Sequence, residues 1–266
     1  MIHSHGEQIV SAESWMSGSV LESQNPGIKM ILALSSLWIC IISKSVVTPV
    51  AIGLAMVFIT LYFGKMDGRT YARFLCIPVS FLLLSGMVLL VDITRQRYGF
   101  LDIPVGAFYL SVTKDSIAET GLVMAKALAG ITCLFMLSFS TPVNEIAGVL
   151  KRLRVPPLVI ELVYFIYRFL HILLETYSHM HIAADSRLGY RSVSGAYASF
   201  TSICTNLLVL AFFRASKSFD AMESRCYDGA VQFLEREKPV TGGQVALLAV
   251  YLVAAAAMLV LERIWI

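Results

Sequence analysis

An all-α, polytopic membrane protein is the fold class predicted here, with about five transmembrane helices and three cytoplasmic or interfacial helices. Three observations carry that prediction. Hydrophobic residues make up 57% of the 266 positions and charged residues only 15%, with a mean hydropathy of +0.74, well beyond the composition of soluble domains. Five nearly uncharged windows, 28–44, 46–63, 73–91, 119–140 and 243–261, approach or reach the roughly 20 residues that a bilayer core demands. Finally, 11 of the 21 lysines and arginines fall within 141–241, a stretch that is nevertheless rich in Leu, Phe, Tyr and Ile.

Taken in order, residues 1–27 contain no Lys or Arg and no apolar core of a secretory signal, so a polar N-terminal tail is expected to stay attached. Between the second and third windows stand Lys65, Arg69 and Arg73, against Lys44 alone between the first two. The positive-inside bias therefore puts the second-to-third loop in the cytoplasm. The 92–118 connection then lies outside, with Arg95, Arg97 and Lys114 balanced by Asp92, Asp102 and Asp115. In the fourth window Gly121, Ala125, Ala129 and Gly130 suit close helix packing, and Lys126 suits snorkelling or pairing inside the bundle. The predicted organisation is a tail (1–27), four spans (28–140), a cytoplasmic coupling region (141–241) and a final span (242–266) ending outside.

Within the coupling region, Pro156 and Pro157 open a long amphipathic helix that runs unbroken to Gly189. At 100° per residue, Glu161, Tyr164, Arg168, His171, Glu175, Ser178 and His179 share an arc of about 120°. Glu161, Arg168, His171 and Glu175 are read as a structural polar seam between packed helices. The next segment, 196–213, has 18 uncharged residues and is long enough to span, yet basic residues flank both ends and Ser199, Thr201, Ser202, Thr205 and Asn206 dilute its first half. It is expected to return to the side it started from, followed by a separate helix from Arg214 to about Arg225.

Two phrases in this region say nearly the same thing: "ADSRLGYRS" (184–192) and "AMESRCYDG" (221–229). Each sets a small residue (Ala184, Ala221), an acid (Asp185, Glu223), a serine (Ser186, Ser224), an arginine (Arg187, Arg225) and then an aromatic (Tyr190, Tyr227). A single such arginine can cap helix carbonyls or meet lipid phosphates. A repeated one fits a chain that grips two identical partners, because arginine presents a planar fork for a carboxylate and small neighbours allow close approach.

Together with "STPVNEIAGVLKRLRVPPLVIELVYFIYRFLHILLE" upstream, these phrases resemble the transmembrane T component (EcfT) of energy-coupling-factor (ECF) transporters, in the CbiQ branch of cobalt and nickel importers. The resemblance implies a non-catalytic coupling subunit of an ABC-type importer in the cell (inner) membrane, linked to cobalamin biosynthesis. It implies two CbiO-like ABC ATPases that bind ATP and Mg, and a small CbiM-like membrane subunit, with a CbiN-like accessory, that binds Co or Ni. No cofactor is implied in this chain. The Ala-Arg-Gly docking motifs of the family fall on Ala184, Arg187 and Gly189, with Ser186, and on Ala221 and Arg225, with Ser224. Cys226 stands where the second motif is expected to have its glycine, and Gly229 is a nearby candidate for the turn. The T component of a vitamin importer and a membrane scaffold unrelated to transport are the alternatives.

Other constellations point away from chemistry in the chain. No G-x-x-x-x-G-K-[ST] stretch occurs, so ATP is expected to bind elsewhere. The five cysteines are scattered singly, without metal-knuckle spacing, and no basic run suggests nucleic acid. His3 and His5 have the spacing of an N-terminal metal handle but are read as part of a flexible tail, and His179 and His181, about 200° apart on a helix, are poor joint ligands, so no metal site is assigned.

Overall fold

A computed structural model describes residues 21, 23–90, 92–94, 101–105, 108–228 and 238–265. His3, His5 and most of the expected tail lie outside these residues, as does Gly229. The described residues divide into two compact units: one runs to Thr141 and resumes at Lys238, the other begins at Pro142.

The first unit contains α1 (Pro26–Ile42), α2 (Val47–Tyr62), α3 (Gly68–Leu89), α4 (Lys114–Ser140) and α8 (Gly242–Trp265). Asn25 caps α1 by accepting from the Gly27 N–H, with Pro26 at the first helical position. The core gathers Leu32, Ala33 and Cys40 of α1, Ile52 and Met56 of α2, and Ala129, Cys133 and Met136 of α4, with Leu248 and Tyr251 of α8 packed against them. Gly53 of α2 faces Ala129 of α4, where an added β-carbon would meet the Ala129 Cα at 3.4 Å, an ordinary contact distance. By contrast, a β-carbon on Gly121 or Gly130 would meet nothing within 4 Å, so of the four small residues read as packing positions it is Ala129 that sits in the core.

Hydrogen bonds at the helix ends set the relative directions. Lys29, 3% exposed in the first turn of α1, donates to the carbonyl of Ser140 at the end of α4 (2.6 Å) and to that of Leu21 (3.1 Å). Lys126 of α4 returns the arrangement, donating to the carbonyl of Ile41 at the end of α1 (3.0 Å). These helices are therefore antiparallel, each lending a cation to the other's C-terminal carbonyls. Along α1 and α8 the pairs run the other way: Asn25 to the Lys238 carbonyl, Ser36 to Tyr251 (2.9 Å) and Ser43 to Glu262 (2.9 Å). α1 and α8 are parallel, as a charge-based topology that starts both on the cytoplasmic side requires.

Three differences from the sequence reading emerge. The 92–118 connection carries a small antiparallel sheet, β1 (Asp92–Thr94), β2 (Leu101–Val105) and β3 (Phe108–Val112), in the order β1-β3-β2, with Asp92 opposite Ser111 and Val105 opposite Phe108. Pro104 lies on an edge strand, where a missing N–H is tolerated. Secondly, among the described residues five helices are long and apolar enough to cross a membrane, but they are α3, α4, α8 and the two long helices of the second unit. The expected crossings α1 and α2 are 17 and 16 residues long, about 24–26 Å at 1.5 Å per residue, just short of a typical bilayer core. Thirdly, the second unit is partitioned differently: α5 (Val143–Arg152), α6 (Pro157–Ser186) and a single α7 (Val193–Glu223). The expected separate helix from Arg214 to Arg225 is the continuation of 196–213, because no Gly or Pro interrupts the chain after Gly195 and charge alone does not break a helix.

Replacing the buried Lys29 with Met leaves two carbonyls without their charged donor and is expected to cost about 1.5–3 kcal/mol. Lys126→Met, at a half-buried position, is expected to cost less. Thermal unfolding of the two variants in detergent checks the order.

Candidate functional site

The two arginine phrases fold into one and the same helix terminus. At the end of α6, the Gly189 N–H donates to the Ala184 carbonyl (2.9 Å) and the Leu188 N–H to the Asp185 carbonyl (2.8 Å). At the end of α7, Tyr227 donates to Met222 (3.1 Å) and Cys226 to Glu223 (3.0 Å). Each is a complete Schellman motif, with the residue after the arginine in the left-handed region: Leu188 at φ 59° and Cys226 at φ 61°. Superposing the motifs aligns Arg187 with Arg225, Ser186 with Ser224, Leu188 with Cys226 and Gly189 with Tyr227.

That register revises two assignments. Met222, not Ala221, is the counterpart of Ala184, and the position equivalent to Gly189 is Tyr227. Cys226 does occupy a position that needs positive φ, but its partner there is Leu188. The left-handed conformation costs each of these side chains on the order of 1–2 kcal/mol. Gly189 is required for a different reason. A β-carbon on it would lie 2.4 Å from Ser199 Oγ and 2.9 Å from the Ala184 carbonyl oxygen. The Ser199 hydroxyl in fact donates to the Gly189 carbonyl (3.1 Å), stitching the turn to α7.

Because backbone N–H groups take the last carbonyls, the guanidinium groups are not needed as caps. Arg187 and Arg225 are both exposed, and no hydrogen bond, ion pair or ring contact engages either guanidinium among the described residues. Around them, Ala221, Ser224 and Cys226 are exposed, Ser186 is exposed with its hydroxyl turned back to the Ile182 carbonyl (2.8 Å), and Ala184 and Gly189 are half-buried. Leu188 adds an apolar side chain, 64% exposed, beside Arg187.

The seam residues do not act as one group. Glu161, 6% exposed, accepts a hydrogen bond from the Tyr227 hydroxyl (3.1 Å). Desolvation, with the Glu161 hydrogen bond adding to it, pushes the Tyr227 hydroxyl up from its usual range, so it remains a donor at neutral pH. His171 is half-buried and packs edge-on against Tyr167 (4.8 Å), whereas Arg168 and Glu175 are exposed. His181 stacks on Tyr190 (4.7 Å) at the α6–α7 turn. Among the described residues no three His, Cys, Asp or Glu side chains come together.

The Tyr227–Glu161 bond joins the end of α7 to the start of α6, and the 187–192 turn joins their other ends. α6 and α7 thus run antiparallel, and the two arginines sit at opposite ends of the pair, about 45 Å apart for helices of this length. Both can face one compartment only if the pair lies along the membrane surface.

Helices that are long and apolar enough to cross, arranged in this way, define a multi-pass membrane protein. The chain belongs to the cobalt transport protein family, CbiQ, whose model matches residues 17–237. It is 30% identical over 215 residues to an uncharacterized protein of Methanocaldococcus jannaschii, covering 81% of this chain and 80% of the relative. A putative fused cobalt transport protein CbiMQ of Methanocorpusculum labreanum is 30% identical over 238 residues, 89% of this chain and 39% of that longer protein. The cobalt transport protein CbiQ of Salmonella typhimurium is 24% identical over 198 residues, 73% of this chain and 88% of the relative.

The pairing of Tyr227 with Glu161 was not legible from sequence, since the residues are 66 apart. The short α5 was, in principle: Pro142 precedes it, Glu145 sits in its first turn, and Lys151 and Arg152 close it. Gly189→Ala forces its β-carbon into backbone and Ser199, and is expected to cost about 1–3 kcal/mol and to expose the 187–192 turn to limited proteolysis.

Proposed function

We propose that this chain is the non-catalytic transmembrane coupling (T) subunit of an ECF-type ABC importer, most readily one for cobalt or nickel ions. The observation that carries the reading is the pair of uncommitted arginines, each standing at an identically terminated helix end, at opposite ends of α6–α7. Two copies of one ATPase present two copies of one groove, and a span of about 45 Å suits contact with both. The α6–α7 pair then lies along the cytoplasmic face, with Arg187 and Arg225 as the bidentate contacts and Leu188 or Cys226 beside them. ATP and Mg belong to the ATPases, and closure of their dimer moves the helix pair by binding its two positions unequally.

Family membership supports the cargo class, and the fusion of CbiM to CbiQ in the Methanocorpusculum relative supports a CbiM-like substrate-binding subunit as neighbour. Exposed apolar faces on α6 and α7, including Ile166, Phe212 and Val193, leave surface for lipid or such a subunit. The inner membrane is the corresponding location.

Arg187→Glu or Arg225→Glu is expected to abolish ATP-dependent metal uptake at unchanged membrane levels of the protein. Retained uptake in both single variants and the double removes the reading. A topology test bears on it independently. With the other cysteines replaced, an impermeant maleimide is expected to reach Cys226, and a Leu188→Cys variant, from the cytoplasmic side alone; labelling of the two from opposite sides would make α6 and α7 crossings.

A further inference from the structure

At the far ends of α1 and α8 lies a cavity of about 570 Å³ lined by Ile42, Ser43, Lys44, Leu259, Glu262 and Arg263 among others, within the size range of ligand pockets. The parallel course of α1 and α8 brings these ends together, on the face that the loop charges put outside. Its polar wall is unusually arranged. Ser43 Oγ lies 2.9 and 3.1 Å from the two oxygens of Glu262, and Thr48 Oγ1 donates to the second at 3.1 Å. Ser43 and Thr48 are 1% and 2% exposed. The carboxylate is thereby held by buried hydroxyls, while Lys44 and Arg263, both exposed, have no bonded partner among the described residues.

The cavity thus carries one fixed negative charge and two mobile positive ones, a surplus of one, above walls of Ile42, Ala256, Leu259 and Val260. A metal ion does not fit, since one carboxylate and two hydroxyls are too few strong ligands beside two cations. A free inorganic anion leaves the apolar walls unused. We infer that the cavity holds the phosphate and glycerol end of an anionic phospholipid, its phosphodiester between Lys44 and Arg263 and its acyl chains leaving over the exposed Ile42 and Val260.

Native mass spectrometry of the full-length protein in detergent, with phosphatidylglycerol added, reads this site. Wild-type protein is expected to bind phosphatidylglycerol more tightly than uncharged diacylglycerol, and inorganic phosphate at millimolar concentration is expected not to displace it. The Lys44→Gln/Arg263→Gln double variant is expected to weaken binding roughly 10–30-fold, as two basic contacts near a lipid headgroup imply. Leu259→Trp, which fills the cavity without touching a charge, is expected to weaken it too. In membranes, a photo-crosslinker at position 260 is expected to give a lipid adduct. Equal binding of the two lipids, displacement by phosphate, an unaffected double variant, or a protein adduct in place of the lipid one overturns the inference.

Discussion

Every helix that ends where water is scarce must find donors for its last carbonyls, and this chain meets that demand in two ways on which its architecture rests. In the first unit the donors come from other helices. Lys29 reaches the end of α4, and Lys126 reaches the end of α1. The exchange fixes α1 and α4 as antiparallel neighbours before any apolar packing is counted, and it places the core of Leu32, Ile52, Met56, Cys133 and Met136 between helices already held in register. At the end of α1 that Lys126 reaches, the hydroxyls of Ser43 and of Thr48 on α2 donate to the Glu262 carboxylate and fasten both helices to α8.

In the second unit the donors come from the chain itself. α5, α6 and α7 all close with the same pair of backbone bonds, and the left-handed residue is Arg154, Leu188 and Cys226 in turn. None is glycine, although glycine removes the conformational cost at that position. What the arrangement supplies is a helix end that needs no side chain to finish it. Arg187 and Arg225 therefore remain available for a partner, where an arginine spent on capping would not be. A bulky Leu188 in place of glycine adds apolar surface next to that charge.

The same logic separates the two kinds of glycine. Gly189 admits a carbonyl and a hydroxyl that a β-carbon would exclude, whereas a β-carbon on Gly53 would stand at ordinary contact distance from Ala129. The Gly189 contact with Ser199 and the Tyr227 bond to Glu161 pin the α6–α7 pair at both ends.

Composition and periodicity by themselves determined the membrane class, the α-helical content, the long helix opened by Pro157 and the two arginine phrases, because these depend on the residue types along short stretches of chain. They misplaced the break near Arg214, where a flanking charge was read as a helix end although no Gly or Pro stands there, and they passed over the strands of 92–112 within a connection judged by its charges. The tertiary structure alone decided which lysine caps which helix, that Met222 and Tyr227 complete the second motif, and that the arginines stand at opposite ends of one pair. Those outcomes turn on contacts between residues 66 to 219 positions apart and on backbone angles of single residues, and local pattern constrains neither.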